Sequence, residues 1–432
     1  MGQLVLASGG PLSVLALTLG LVLTRPRRLS EASAAVLGAV VVLIAGWARP
    51  ADVAAGVRDT AGVLVFLVAM MLLAGLAEQA GVFHWAAGWA LLLAGRRGWL
   101  LLASLYLLGA LITLLLSLDV TAVMLTPIIC ALVRRLRLDP VPFVLACAFV
   151  ANTASLALPV SNLTNILVYD LLGVGFWDFV RYLALPNMVA LAVNLGLLVV
   201  LFWHRLPGTI TVRAEGRRLP AAPFFRWSLG TLAATVMLLF IAGLRGWPFW
   251  PAAAPPAVLL SALSLRRRWV APHALRHAVA WGLPPFVVGM YVVVAAVYHS
   301  LQPLVAGLPA AVAQLPGPLP LLATTFGTAA GANAVNNLPL SLAMIQLLRT
   351  VDPAMVTAAG ANLRTTLAMG MLLGVNLGPN LTVIGSLATM LCLSTARRQG
   401  VDVPGTAFLR AGLVVAPPML LAAALVLWLL LR

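Results

Sequence analysis

Charge is scarce in this chain. Only 9% of its 432 residues are charged and 62% are hydrophobic, and so little polar surface cannot cover a water-soluble globule. Cysteine is nearly absent: Cys130, Cys147 and Cys392 lie far apart in apolar stretches, so neither a CxxC metal pair nor a disulfide framework can be drawn, and small core thiols are expected. The usual signatures of catalysis are missing. There is no HExxH, no GxSxG and no pair of membrane aspartates, and His84, His204, His273, His277 and His299 fall at or beyond the ends of the expected helices, which argues against an intramembrane enzyme. Without a P-loop, any ATP drive would come from a separate subunit. No cofactor and no metal site is expected.

Lysine is missing altogether, so the formal charge of +16 is carried by 27 arginines. In a soluble chain that balance suggests nucleic acid; here the arginines cluster between apolar runs and report topology instead. Uncharged runs at 61–75, 182–203 and 411–431 approach the roughly 20 apolar residues of a spanning helix. The N-terminal apolar run has no basic region ahead of it and no small-residue cleavage pattern after it, and reads as a retained helix. The expected fold is an all-α polytopic membrane protein of about 10–11 transmembrane segments. Residues 1–202 would form one half, with a hairpin at 99–134 and a broken helix at 142–172. A cytoplasmic loop at 203–226 leads to the second half, 227–432, with a hairpin at 319–349 and a broken helix at 353–396.

The arginine clusters are Arg25, Arg27 and Arg28; Arg96 and Arg97; Arg134, Arg135 and Arg137; Arg205 to Arg226; Arg266, Arg267 and Arg268; and Arg397 and Arg398. All fall on the cytoplasmic side if both termini face outward and if 99–133 and 319–348 enter and leave by the same face, as re-entrant hairpins. An arm of about 14 residues covers about 21 Å of a hydrocarbon core about 30 Å thick, so the tips would stop near mid-membrane. Segments 82–94, with Trp85 and Trp89, and 301–315 read as interfacial connectors.

Asp119 stands alone in the uncharged run 99–133. A carboxylate there costs several kcal/mol unless paired, hydrated or protonated, which marks a candidate functional site. Arg134 and Arg364 are its candidate partners. A spacing of 218 residues relates Asp119 to Asn337 and Asn162-Leu163-Thr164 to Asn380-Leu381-Thr382. That implies a duplication, inverted because the hairpins open to opposite faces. Each half carries two polar, helix-breaking stretches: Ser117 and Asp119 with Ser161, Asn162 and Thr164, then Asn336 and Asn337 with Asn376, Asn380 and Thr382. Unwound backbone is tolerated in a bilayer only where protein or a wet cavity surrounds it. Four such tips therefore predict one enclosed polar site whose helix N-termini, amides and hydroxyls suit a small polyhydroxylated or anionic solute. Asn187 and Asn194 read as interhelical hydrogen-bond partners.

At 117–127, 151–155, 336–339, 374–382 and 385–389 the chain resembles the arsenite/antimonite efflux permeases of the ion transporter superfamily, and more distantly the divalent anion:sodium symporters. The likeness spans nearly the whole chain. It adds Thr121 and Asn152 to the candidate site and implies a scaffold domain beside a mobile transport domain. It also implies proton-coupled efflux of arsenite or antimonite across a prokaryotic inner membrane, with Asp119 as the titrating group. The alternative is a sodium- or proton-coupled carrier of small anions such as di- or tricarboxylates. The family usually carries Asn-Asp at the first tip where this chain has Leu118-Asp119. A homodimer is implied by the distant symporters alone.

Overall fold

The computed structural model describes residues 2–24, 30–210, 222–358 and 360–432. Arg25, Arg27 and Arg28, with Arg213, Arg217 and Arg218 of the fourth cluster, lie outside them. Among the described residues there are helices and no strand; one isolated bridge joins Val356 to Asn362.

The chain opens with α1 (Gly2–Thr24), α2 (Glu31–Ile44) and α3 (Pro50–Gln79). α3 is far longer than its apolar run, because Pro50 starts it at the position where a missing N–H costs nothing, and Asp59, near its start, is paired with Arg349 at 3.1 Å. Segment 82–94 is helical, α4 (Val82–Leu93). Its Trp85 packs edge-on against Phe225.

The first hairpin is α5 (Gly98–Leu115), then α6 (Leu118–Val120), continued by a π-turn at Thr121–Leu125 into α7 (Thr126–Arg135). The chain reverses at its tip: Thr113 and Thr121 share a hydrogen bond of 2.7 Å, and a Cβ on Gly109 would lie 3.3 Å from Leu125. The first broken helix is α8 (Pro140–Thr153), two 3-10 turns at Ala154–Leu156 and Pro159–Ser161, and α9 (Leu163–Leu172); α10 (Phe176–Phe202) follows.

Next come α11 (Pro223–Arg245), α12 (Trp250–Arg266), α13 (Pro272–Ala278), α14 (Leu283–Val305) and α15 (Leu308–Ala313). The expected connector at 301–315 is thus the end of α14 plus α15. The second hairpin pairs α16 (Leu319–Val335) with α17 (Asn337–Arg349). The second broken helix joins α18 (Leu363–Leu377), 3-10 turns at Gly378–Asn380 and Val383–Gly385, and α19 (Leu387–Arg398), before α20 (Gly405–Leu431). α18 starts later than its apolar pattern suggested: Gly360 takes φ +81° and the Asn362 side chain caps the Thr365 N–H at 2.9 Å, so the helix cannot extend backward.

By length and composition, six helices among the described residues can cross a bilayer: Pro50–Gln79, Gly98–Leu115, Phe176–Arg205, Pro223–Arg245, Pro272–Val305 and Gly405–Leu431. The count is below the expected one because α2, α12, the stretch Gly9–Val22 of α1 and both pieces of each broken helix fall short of 18 residues. α5 is also longer than a half-span, since its 18 residues reach about 27 Å at 1.5 Å each.

Packing repeats itself between the halves. α2 lies on α14 as α12 lies on α3, and α1 joins the first pair as α11 joins the second. α5 packs on α8 as α16 packs on α18. The return arm of each hairpin crosses over: α6 and α7 lie against α19, and α17 against α9. α10 and α20 run against each other. Arginine-rich ends also gather. Arg134 reaches Gln399 at 3.3 Å, Arg205 pairs with Asp139 at 2.6 Å, and the Arg96 carbonyl accepts from Ile210 at 2.7 Å. Four of the six clusters therefore share one face.

Small residues let these helices close up. A Cβ on Gly412 would press on the carbonyl oxygens of Asn380 and Leu381, whereas one on Gly196 of α10 would meet nothing within 4 Å. Gly412→Ala should cost about 1–3 kcal/mol and lower the thermal midpoint in detergent. Gly196→Ala should leave it unchanged.

Candidate functional site

Four helices begin inside the protein, and each has a side chain folded over its first N–H groups. Ser117 caps α6 through the Val120 N–H (3.3 Å), Asn162 caps α9 through Thr164 (3.2 Å), Asn336 caps α17 through Leu338 (3.4 Å), and Ser386 caps α19 through Thr389 (3.2 Å). The caps set the true register of the repeat. Ser117 answers to Asn336 and Asn162 to Ser386, one and six residues further along than the constant spacing predicts. Asp119 thus stands where Leu338 stands in the second copy, and Asn337 stands where Leu118 does. Asn380 is the counterpart of Leu156, in the last turn before the break, and not of Asn162.

The same register makes Asn152 the equivalent of Asn376, and these two tie the halves together. The Asn152 Oδ1 accepts from Ser386 at 2.9 Å and its Nδ2 donates to Thr389 at 2.8 Å and Asn380 at 3.2 Å. In return, the Asn376 Oδ1 accepts from Asn162 at 2.6 Å and Ser155 at 2.7 Å, while its Nδ2 donates to Asn165 at 2.9 Å. Each asparagine grips the cap of the opposite half's inner helix. Asn380 completes the crossing by donating to Thr153 at 2.8 Å. Asn187 donates to the Thr153 carbonyl and Asn194 to its hydroxyl, as interhelical partners.

Each hairpin tip is tied to the break in its own half. Ser161 donates to the Leu114 carbonyl at 2.7 Å, and Asn336 donates to Ile384 at 3.0 Å. Thr382 gives its N–H and hydroxyl to Asn333 at 3.0 and 2.7 Å. Asn336 takes φ 74°, ψ 151°, a region that non-glycine residues enter at a cost of about 1–3 kcal/mol. Its two side-chain hydrogen bonds hold it there.

Nine of the twelve predicted site residues are therefore hydrogen-bonded through their side chains, Asn152 with Asn380 and Asn162 with Asn376 directly and the other five through neighbouring groups. Three are not. Asp119 and Asn337 are buried, 9% and 6% exposed, and neither side chain makes a hydrogen bond or ion pair among the described residues; the Thr164 hydroxyl is likewise unpartnered. Neither candidate arginine reaches Asp119: Arg134 bonds Cys130 and Gln399, and the Arg364 Nε has no partner. Asp119 instead lies in the first turn of α6, where the positive end of the helix dipole favours an anion. Thr121 is occupied with Thr113. The residues missed from sequence are Asn165, Asn333, Ser386 and Thr389. For Ser386 and Thr389 the signal was the cap pattern at the second break, which identity of the Asn-Leu-Thr triplets concealed.

Residues 19–363 match the citrate transporter family, CitMHS. The chain belongs to that family. It is a multi-pass transporter of the cell membrane, and not an enzyme. The citrate transporter match is joined by curated relatives named arsenical pump membrane protein. The one from Escherichia coli is 29% identical over 419 residues, covering 94% of this chain and 95% of that protein. The one from Yersinia enterocolitica is 29% identical over 421 residues, with the same coverage of both. The resemblance to arsenite permeases is thus borne out. Among solved structures, the YdaH transporter of Alcanivorax borkumensis superposes with a TM-score of 0.57 at 16% identity, covering 87% of this chain and 86% of that one. MtrF of Neisseria gonorrhoeae gives 0.54 at 13%, covering 84% and 80%. At these identities the two share the fold.

Removing Asn376 strands two buried groups, the Asn162 amide nitrogen and the Asn165 oxygen, each worth about 1–3 kcal/mol when left unpaired; the Ser155 hydroxyl keeps the Asn152 carbonyl at 2.7 Å. Asn376→Ala should lower the thermal midpoint in detergent by more than Asn337→Ala, whose side chain bonds nothing.

Proposed function

We propose that this transporter exports arsenite or antimonite by alternating access, driven by the inward proton gradient, with Asp119 carrying the proton. The observation that supports the reading is a lone, unpaired carboxylate at a hairpin tip, in a chain whose curated relatives are named as arsenical pumps. Arsenite at neutral pH is an uncharged trihydroxide, so its binding leaves the charge of Asp119 as the quantity that changes over a cycle. With the site facing outward, the empty carboxylate takes a proton and the polar centre returns as a neutral unit. Facing the cytoplasm, the proton leaves and solute loads against the ionised group. Charge is thereby kept out of the low-dielectric crossing in one direction, where an unpaired carboxylate is most costly.

In this reading the two halves form an inverted repeat, both termini face outward and the arginine-rich face is cytoplasmic. The candidate binding residues are Asp119, Asn337 and Thr164, with Ser117, Thr121, Ser161, Asn336 and Thr382 around them and Asn152, Asn162, Asn376 and Asn380 as the frame. A homodimer and a separate ATPase subunit are the partners it admits. A second reading has its own support. Membership of the citrate transporter family and four inner helix N-termini, each a natural anion site, favour a sodium- or proton-coupled carrier of small di- or tricarboxylates.

Everted membrane vesicles separate the two. Proton-driven arsenite accumulation without citrate transport is expected, together with arsenite resistance in cells carrying the gene. Citrate transport with no arsenite accumulation favours the second reading. Asp119→Asn should abolish gradient-driven accumulation and flatten its pH dependence; a variant that still accumulates arsenite with an unchanged pH profile removes Asp119 from the mechanism.

A further inference from the structure

The chain has three cysteines in 432 residues, and all three are free, buried and carried by neighbouring helices: Cys130 on α7, Cys147 on α8 and Cys392 on α19. Two of them meet at one oxygen. The Thr126 hydroxyl donates to the Ala122 carbonyl at 2.7 Å, which leaves its lone pairs facing Cys392 at 3.2 Å and Cys147 at 3.6 Å. Residues 245 positions apart in sequence are thus held around a single atom, and the Cys392 sulfur also lies 3.9 Å from the Val144 carbonyl. Cys147 and Asn152 lie on one helix, and Cys392 lies one turn beyond Thr389 on another, so the pair sits directly outside the Asn152–Thr389 crossing. The helix carrying Thr126 also supplies Ile128, Ala131, Leu132 and Arg135 to the wall of a cavity of about 670 Å³. The thiols are therefore separated from an open space by the thickness of one helix.

We propose that Cys147 and Cys392 form a two-thiol binding site for trivalent metalloid, adjoining the central polar knot; this rests on the arsenite reading above. Two sulfurs suit a trivalent ligand whose third position a hydroxide completes. Arsenite meets that description. Two As–O bonds break and two As–S bonds form, the thiol protons leave with the displaced hydroxides as two waters, and arsenic stays trivalent, so no oxidant or reductant is required. The remaining hydroxide on arsenic takes the place of a solute oxygen and faces Thr126. Soft sulfur prefers a soft acceptor, so this site discriminates metalloid from hard oxyanions and carboxylates that the amide tips alone would accept.

Phenylarsine oxide, which condenses with two thiols and loses one water, tests the pairing on the intact purified protein by mass. One adduct per chain is expected for the native protein and for Cys130→Ser, and none for Cys147→Ser, Cys147→Ala or Cys392→Ser. Arsenite KM in everted vesicles should rise about tenfold in the last three, or roughly 1.4 kcal/mol of binding, with kcat changed less. An adduct that persists in both the Cys147 and the Cys392 variants, or that forms in the native protein only after denaturation, overturns the site. Arsenite transport without a native adduct overturns the thiol site and leaves the transport reading standing. An adduct without arsenite transport does the reverse.

Discussion

The fold depends on one exchange of hydrogen bonds, in which Asn152 holds Ser386 and Thr389 while Asn376 holds Asn162 and Asn165. A helix that stops in the middle of an apolar protein leaves backbone N–H and C=O groups that neither lipid nor side-chain hydrocarbon can satisfy. Two such interruptions are tolerable here because each is closed by a cap and each cap is held by an asparagine from the opposite copy. An amide suits this role because it offers two donor protons and an acceptor at once; an ionised carboxylate donates nothing and a hydroxyl has a single proton to give. The exchange also explains why both halves must fold before either break is complete.

Around that knot the electrostatics are one-sided. The starts of α6, α9, α17 and α19 all lie inside the protein, each a partial positive charge, and Asp119 is an unpaired acid in the first turn of one of them. The second copy offers no equivalent acid, since Leu338 stands in that place. The halves have diverged in chemistry while keeping their packing. The first contributes an ionisable group and the second a strained amide tip.

Much of this was legible in the residues. Asp119 in an uncharged run, the paired polar breaks and the arginine clusters fix the class of fold, the hairpins and the location of the polar centre, because a charge or an interrupted helix in an apolar setting is costly enough to leave a plain signal. Register was not legible. Asn162-Leu163-Thr164 and Asn380-Leu381-Thr382 are identical triplets, yet the first opens a helix and the second ends one 3-10 turn and leads to the next. Local identity cannot report which residue caps a helix when Asn and Ser both serve. Nor could the sequence show that α3 continues past Asp59, since that requires Arg349 to arrive from the far end of the second hairpin. The convergence of Cys147 and Cys392 on Thr126 is likewise a product of α8 and α19 packing together and has no counterpart in their spacing.

The backbone of Asn336 supplies a mechanical asymmetry. Its dihedral angles would suit glycine, and its side chain is held at both ends, by the Leu338 N–H that it caps and by Ile384, a residue of a different element. Any displacement that parts the second hairpin from the linker beside α19 cuts that tether and lets the tip relax downhill, whereas re-docking must wind it up again. The first hairpin, whose Ser117 is simply extended, has no such spring, so the two ends of the molecule open against unequal resistance.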